Sequence, residues 1–199
     1  MIRIAILASG SGTNAQRLME HFTGSPAAEV ALVACDRPKA GVVQRAWDQG
    51  VPCYLFGATE LQDGSLEREL RTAAIDLVVL AGFLRLLPPA FVQAWPGRIL
   101  NIHPSLLPKY GGRGMYGDRV HQAVLAAGEQ ESGITIHLVN ERYDEGEHLA
   151  QLSCPVLPDD DIGSLAARIH ALEHAHFPSV VENFARTLAP SSSPDHAHF

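Results

Sequence analysis

Residues 98–110 read RILNIHPSLLPKY. Arg98 to Ile102 have strand character, and Pro104 has no backbone donor with which to continue an interior strand. The spacing predicts a strand from Arg98 that ends at His103. Successive side chains of a strand alternate faces, so Asn101 and His103 share one face while Ile102 turns to the core. The carboxyl edge of an open α/β sheet is where such folds place their ligands. Asn donates a neutral hydrogen bond and His titrates near neutrality, a pairing suited to a carbonyl that becomes a tetrahedral oxyanion. A solvated Asn beside a core His would give the same spacing; the attached Pro-Ser-Leu-Leu-Pro favours a site.

Towards the N-terminus, Ile2 to Ala8 is a short strand that runs into Ser9-Gly10-Ser11-Gly12-Thr13-Asn14 and a helical pattern through Phe22. Glycines allow a tight turn whose free N–H groups, at a helix N-terminus, attract a phosphate. Ser11, Thr13 and Asn14 add side-chain donors around Gly12. Gly10-x-Gly12-x-x-Ala15 also fits the dinucleotide fingerprint, with Asp36 closing the next strand, Val30 to Cys35, where a ribose-binding acid is expected. Gly41 to Gln49 reads as a helix capped by Gly50, and Pro52 to Leu55 as a short strand. A helix from Asp63 or Ser65 reaches Ala74, and Leu77 to Ala81 is a buried strand. Its exit, Gly82 to Pro89, offers either a wall for a flat heterocycle or a loop tucked on the core. Pro88 and Pro89 open a helix through Ala94.

Beyond Tyr110, Gly111 to Gly117 (GGRGMYG) has no hydrophobic period and reads as a mobile loop, a lid or a plain surface excursion. Asp118 to Ala127 is helical, Ser132 to Val139 alternates as a strand, and His148 to Pro155 is its expected antiparallel partner. The turn between them, Asn140 to Gly146, is acidic; it is either simply solvated or aims a carboxylate at the site. Asp159, Asp160 and Asp161 start a long helix that Pro178 should kink before Val180 to Leu188. Within it His170-Ala171-Leu172-Glu173-His174 spells an inverted zinc-protease motif, for which only Glu182 offers a third ligand on the same segment. Ala189 to Phe199, rich in Ser, Pro and His, reads as a disordered tail.

A chain of 199 residues that is 46% hydrophobic supports one sizeable core, so one domain over 1–188 is expected. A formal charge of −7 with scattered Lys and Arg argues against a nucleic-acid-binding face. Cys35, Cys53 and Cys154 form no metal-type pair and read as buried free thiols. Met1 leads straight into a strand and no stretch approaches a membrane span, so a soluble, cytoplasmic protein is the expectation.

SGSGTN, LAGFLRLLPP, NIHPSLLPKY and YDEG, in that order and spacing, resemble the folate-dependent formyltransferases, over roughly residues 2 to 188. The resemblance implies a Rossmann-like mixed α/β sheet, parallel in its N-terminal half with antiparallel C-terminal strands and helices on both faces. It implies transfer of a formyl group from 10-formyltetrahydrofolate to the primary amine of glycinamide ribonucleotide, a step of purine synthesis, without a metal or a covalent enzyme intermediate. The family's catalytic positions fall on Asn101, His103 and Asp144. Its phosphate-side positions fall on Ser11, Gly12, Thr13 and Asn14, and its ribose carboxylate on Glu173 with His170 nearby. Donor-side positions fall on Arg85, Leu86, Leu87, Val139, Asn140 and Glu141. Asp144 would raise the proton affinity of His103, which would act as a cation, and the Leu107–Pro108 bond would be cis. A monomer or homodimer acting on small molecules, away from nucleic acid and membrane, is implied.

Two departures stand out. Gly111-Gly112 and a longer loop before His121 replace a Pro-Gly and a compact histidine-containing turn. Asp144-Glu145-Gly146 replaces Asp-Gly-Gly, which reduces backbone freedom at the second position. An amino-sugar acceptor and a non-catalytic dinucleotide-binding module are the competing functions. A tRNA acceptor would need a basic surface that this chain lacks.

Overall fold

Short runs of β-branched and aliphatic residues alternate with amphipathic segments along the first half of the chain, and each run that is apolar on both faces must be covered by helices on both sides. The computed structural model describes residues 1–188, so the expected tail lies outside the described residues. The chain runs β1 (Ile2–Ala8), α1 (Thr13–Phe22), β2 (Ala28–Cys35), α2 (Gly41–Asp48), β3 (Cys53–Leu55), α3 (Ala58–Gln62), α4 (Ser65–Thr72), β4 (Leu77–Leu80), α5 (Pro89–Ala94) and β5 (Ile99–His103). It continues through α6 (Asp118–Ala126), β6 (Glu131–Leu138), β7 (His148–Pro155) and α7 (Ile162–Ala185). The strands form one seven-stranded sheet in the order β3-β2-β1-β4-β5-β6-β7. β1 to β5 pair in parallel, and β6 and β7 add antiparallel. This is the Rossmann-like mixed sheet expected from the sequence.

The period-two alternation of the strands sorts the core into two layers. Ile4, Ile6, Leu100, Ile102, Ile134 and Ile136 face α1, α2, α6 and α7. Ala5, Leu7, Leu80 and Ile99 face the side covered by α3, α4 and α5. Each fully buried Ile or Leu contributes about 1.5–3 kcal/mol of hydrophobic stabilisation. The strand order turns back between β1 and β4, and the loops leaving their carboxyl ends part there to open a crevice. Ser9 ties the two loops together: its N–H donates to the Gly82 carbonyl at 3.0 Å, and its Oγ accepts from the Leu84 N–H at 3.1 Å.

Two details differ from the sequence reading. Residues 58–62 form a separate short helix, too brief to show a helical period in the sequence. The last helix runs without a break across Pro178 to Ala185, where a kink and a second segment were expected. Pro178 leaves the His174 carbonyl without its helical amide, but packing of buried Phe177, Pro178 and Val181 keeps the segment helical. The Leu107–Pro108 bond is cis, as the resemblance implies. All three cysteines are free; Cys35 and Cys154 are buried and Cys53 is half-buried. Burial pushes each thiol's pKa up. No helix among the described residues is long and apolar enough to cross a membrane.

β6 carries site residues, and its position depends on Gly133. A Cβ there would lie 2.1 Å from the Leu152 carbonyl oxygen and 2.9 Å from the Ser153 Cα. Gly133→Ala is expected to lower unfolding free energy by about 1–3 kcal/mol or more, read as a shifted denaturant midpoint at constant slope. An unchanged midpoint would contradict the close β6–β7 approach.

Candidate active site

A cavity of about 550 Å³ opens at the carboxyl ends of β1, β4 and β5. Asn101 and His103 reach it from β5, whose preceding odd-numbered position, Ile99, packs in the core layer on the same face. Across the antiparallel pair His137 of β6 stands opposite Asn101, and Thr135 opposite His103. The loop from Pro104 to Tyr110 is fixed from below. Thr135 Oγ1 donates to the Ser105 carbonyl at 2.7 Å and accepts from the Leu107 N–H at 3.0 Å. Gln151 Nε2 donates to the Leu107 carbonyl at 2.7 Å. Tyr110, held by its hydroxyl on Glu129 at 2.9 Å, presents its carbonyl to His103 Nε2 at 2.8 Å. A carbonyl only accepts, so Nε2 carries the proton and His103 Nδ1 is the open position.

His103 Nδ1 lies 3.6 Å from Asp144 Oδ2, and His137 Nε2 lies 3.6 Å from Asp144 Oδ1. The Gly112 N–H donates to Asp144 Oδ2 at 2.8 Å. Asp144 sits in the left-handed region at φ 54°, a conformation Asp tolerates better than most side chains. Glu145 stays out of that region and is exposed, so the substitution in the Asp-Glu-Gly turn leaves the carboxylate in place. The third position is more demanding: a Cβ on Gly146 would lie 1.7 Å from the Leu138 carbonyl oxygen.

The electrostatics correct one expectation. Burial lowers the pKa of His103, and the opposing pull of Asp144 and of the Tyr110 carbonyl does not offset it. At rest the imidazole favours its neutral form, where a cation was expected. Burial pushes the Asp144 pKa up, yet its contacts with His137, His103 and the Gly112 amide hold it below the usual value. Asp144 therefore stays a carboxylate, and a proton arriving on His103 strengthens the contact between them.

His137 was not singled out from the sequence. Its Nδ1 donates to the Leu138 carbonyl at 2.8 Å, and its unprotonated Nε2 takes a hydrogen from Asn101 Nδ2 at 3.2 Å. This sets the Asn101 amide and leaves the second Nδ2 hydrogen free. The strand alternation that placed Asn101 would also have put His137 on the same sheet face, had the β5–β6 register been known.

At the opposite end of the cavity, Gly12 makes a left-handed turn into α1 beside Ser11, Thr13 and Asn14. Asn14 Nδ2 donates to Glu173 Oε2 at 2.8 Å, so one of its two amide hydrogens links α1 to α7. Burial raises the pKa of Glu173 despite Asn14 and His170. Arg85, Leu86, Leu87, Val139 and Asn140 line the donor-side wall, whereas Glu141 turns off it and accepts from Gln93 at 2.7 Å. Asp36, whose side chain is 1% exposed, accepts from Arg85 Nε at 2.5 Å. Buried against an arginine and off the cavity wall, that acid is not placed for the ribose-binding role a dinucleotide module requires. His170 and His174 stack with ring centroids 6.3 Å apart, but only His170 reaches the cavity. Among the described residues no group of three or more His, Cys, Asp or Glu is placed to hold a metal ion.

Comparison with known proteins gives the same picture. A family model described as formyl transferase matches residues 2–181. The chain is 44% identical over 202 residues to the trifunctional purine biosynthetic protein adenosine-3 of Drosophila melanogaster, covering 96% of this chain and 15% of that one. It is 41% identical to the chloroplastic phosphoribosylglycinamide formyltransferase of Arabidopsis thaliana, covering 90% of this chain and 64% of that one. The crystal structure of glycinamide ribonucleotide transformylase 1 from Symbiobacterium toebii superposes with a TM-score of 0.87 at 36% identity, covering 94% of this chain and 89% of that one.

An NMR titration of the His103 ring should give a pKa below that of a free histidine, and Asp144→Asn should lower it further because the opposing pull of the carboxylate is lost. An unchanged value in the variant would contradict the electrostatic contact.

Proposed function

The chain belongs to the formyl transferase family, and from that membership we propose that it transfers a formyl group from 10-formyltetrahydrofolate to the primary amine of glycinamide ribonucleotide. Residues 1–188 would act as one catalytic unit. The observation that carries this reading is the convergence of Asn101, His103 and Asp144 on one cavity, between a helix-terminal turn suited to phosphate and an apolar wall suited to a pterin.

The neutral amine attacks the formyl carbon, forming a C–N bond and a tetrahedral oxyanion. The free Nδ2 hydrogen of Asn101 stabilises that oxygen, and the bond to His137 holds the amide ready for it. The attacking nitrogen becomes cationic and must lose a proton. His103 Nδ1 is unprotonated at rest and faces the Asp144 carboxylate, so it accepts that proton directly or through water. The imidazolium formed lies beside Asp144 and offsets the oxyanion. Returning the proton to N10 of the donor lets the C–N10 bond break, and tetrahydrofolate leaves. A neutral resting imidazole thus serves as base first and acid second, which a permanently cationic one could not.

The phosphate of the acceptor would sit on the Ser11 to Asn14 turn, and Glu173 with His170 would meet its ribose hydroxyls. Leu86, Leu87, Val139 and Asn140 would border the pterin. Exposed Leu84 and Leu86, at 39% and 52%, give the donor mouth an apolar rim.

The direct test is release of tetrahydrofolate from 10-formyltetrahydrofolate in the presence of glycinamide ribonucleotide. Asn101→Ala should lower kcat about 10²- to 10³-fold with little change in KM. His103→Ala should lower it about 10²- to 10⁴-fold. Turnover with an amino sugar but none with glycinamide ribonucleotide would move the acceptor assignment, and undiminished turnover in both variants would refute the mechanism.

A further inference from the structure

A phosphomonoester carries close to two negative charges near neutral pH, and proteins usually answer them with at least one cationic side chain beside the backbone N–H groups. The turn from Ser11 to Asn14 brings none of its own. Arg45, which contacts it, donates to the Ser11 carbonyl at 2.9 Å and to the Gln16 side chain. Arg17 is paired with Glu20 at 3.0 Å, and neither arginine reaches the cavity wall.

Four other arginines do reach it: Arg85, Arg113, Arg119 and Arg142. Arg85 is occupied by Asp36 and Arg142 lies 3.4 Å from Glu145. Arg113 and Arg119 make no ion pair and no hydrogen bond among the described residues. Both come from the segment in which this chain is longer and richer in glycine than the family pattern. Arg119 rests over the Tyr116 ring with its guanidinium carbon 4.9 Å from the ring centroid, a contact that leaves the N–H edge of the fork open.

The fold says which end of the cavity this segment serves. Met115 packs against the core layer shared by α1, α6 and α7, the side that carries Asn14 and Glu173. Phe83, Leu87 and Val139, on the donor side, belong to the opposite layer. An independent sign of a polar ligand site lies two residues past Arg119. His121 is 2% exposed, lines the same cavity, and its Nδ1 has no hydrogen-bond partner. Asp118, in the same turn, is not on the cavity wall.

We propose that Arg113 and Arg119 form the cationic half of a phosphomonoester site whose other half is the Ser11 to Asn14 turn, so that the glycine-rich segment and the start of α6 together recognise the phosphorylated substrate. This deepens the proposed function and rests on it for the identity of that substrate. The site itself requires only a sugar phosphate.

The experiment is an NMR or calorimetric titration with ribose 5-phosphate and with ribose, using wild type, Arg113→Gln/Arg119→Gln and the corresponding double lysine variant. Wild type should prefer the phosphorylated sugar. The glutamine variant should lose about 10- to 100-fold of that preference, with a shallower salt dependence and unchanged affinity for ribose, and lysine should restore part of it. Absence of a preference in wild type, or an undiminished one in the glutamine variant, would overturn the assignment. So would a loss confined to donor binding, seen as equal affinity for folates with and without the glutamate moiety, since the cations would then serve donor carboxylates. Because these ligands undergo no reaction, a wild type that fails to transfer formyl yet shows the arginine-dependent preference would refute the proposed reaction and leave this site standing.

Discussion

The Asp144 carboxylate is the contact on which the site depends. It contacts three separately built segments: His103 at the end of β5, His137 on β6, and the Gly112 amide at the start of the glycine-rich segment. Taking such a charge out of water costs several kcal/mol unless partners compensate. Here the Gly112 N–H donates to it and two imidazole rings stand 3.6 Å away, and the carboxyl keeps a lowered pKa in spite of burial. The backbone accommodates this by placing Asp144 at positive φ and by bringing Gly146 against the Leu138 carbonyl. A larger side chain at Gly146 would have to displace the turn that aims the carboxylate.

The sheet explains why these groups meet. Its parallel half ends at β5, and the antiparallel addition of β6 puts His137 directly across from Asn101. A parallel neighbour would present its own carboxyl edge and loops in that place instead of a strand interior. The two core layers then divide the cavity. Elements packed against α1, α6 and α7 carry Asn14, His170 and Glu173, while the layer beneath α5 carries Leu87 and Val139. β5 lies between them, with Asn101 and His103 at the boundary where two substrates would have to touch.

Much of this was legible in the sequence. The β5 alternation, its stop at Pro104 and the strand-turn-helix at the N-terminus are local patterns, and the structure reproduces them with shifts of one or two residues. What was not legible depended on distance in the chain or on burial. Asp36 fitted the rival dinucleotide reading, and its partner Arg85 lies 49 residues away in the chain. His137 stood within a strand that had been recognised, but its role required the β5–β6 register. The protonation of His103 was read from its neighbour Asp144, and the larger influence, burial, has no local sequence signature. Residues 58–62 were missed because a five-residue helix shows little more than one turn of period.

The central claim is that Asn101, His103 and Asp144 together stabilise a tetrahedral oxyanion at the formyl carbon. The most direct measurement is carbon NMR of a folate analogue whose formyl-bearing nitrogen is replaced by carbon and whose carbonyl is labelled. Bound to wild type, the labelled carbon should give the signal of the tetrahedral hydrate, and bound to Asn101→Ala or Asp144→Asn that of the trigonal carbonyl. A trigonal signal in the wild-type complex, or the same hydrate signal in all three proteins, would contradict the account.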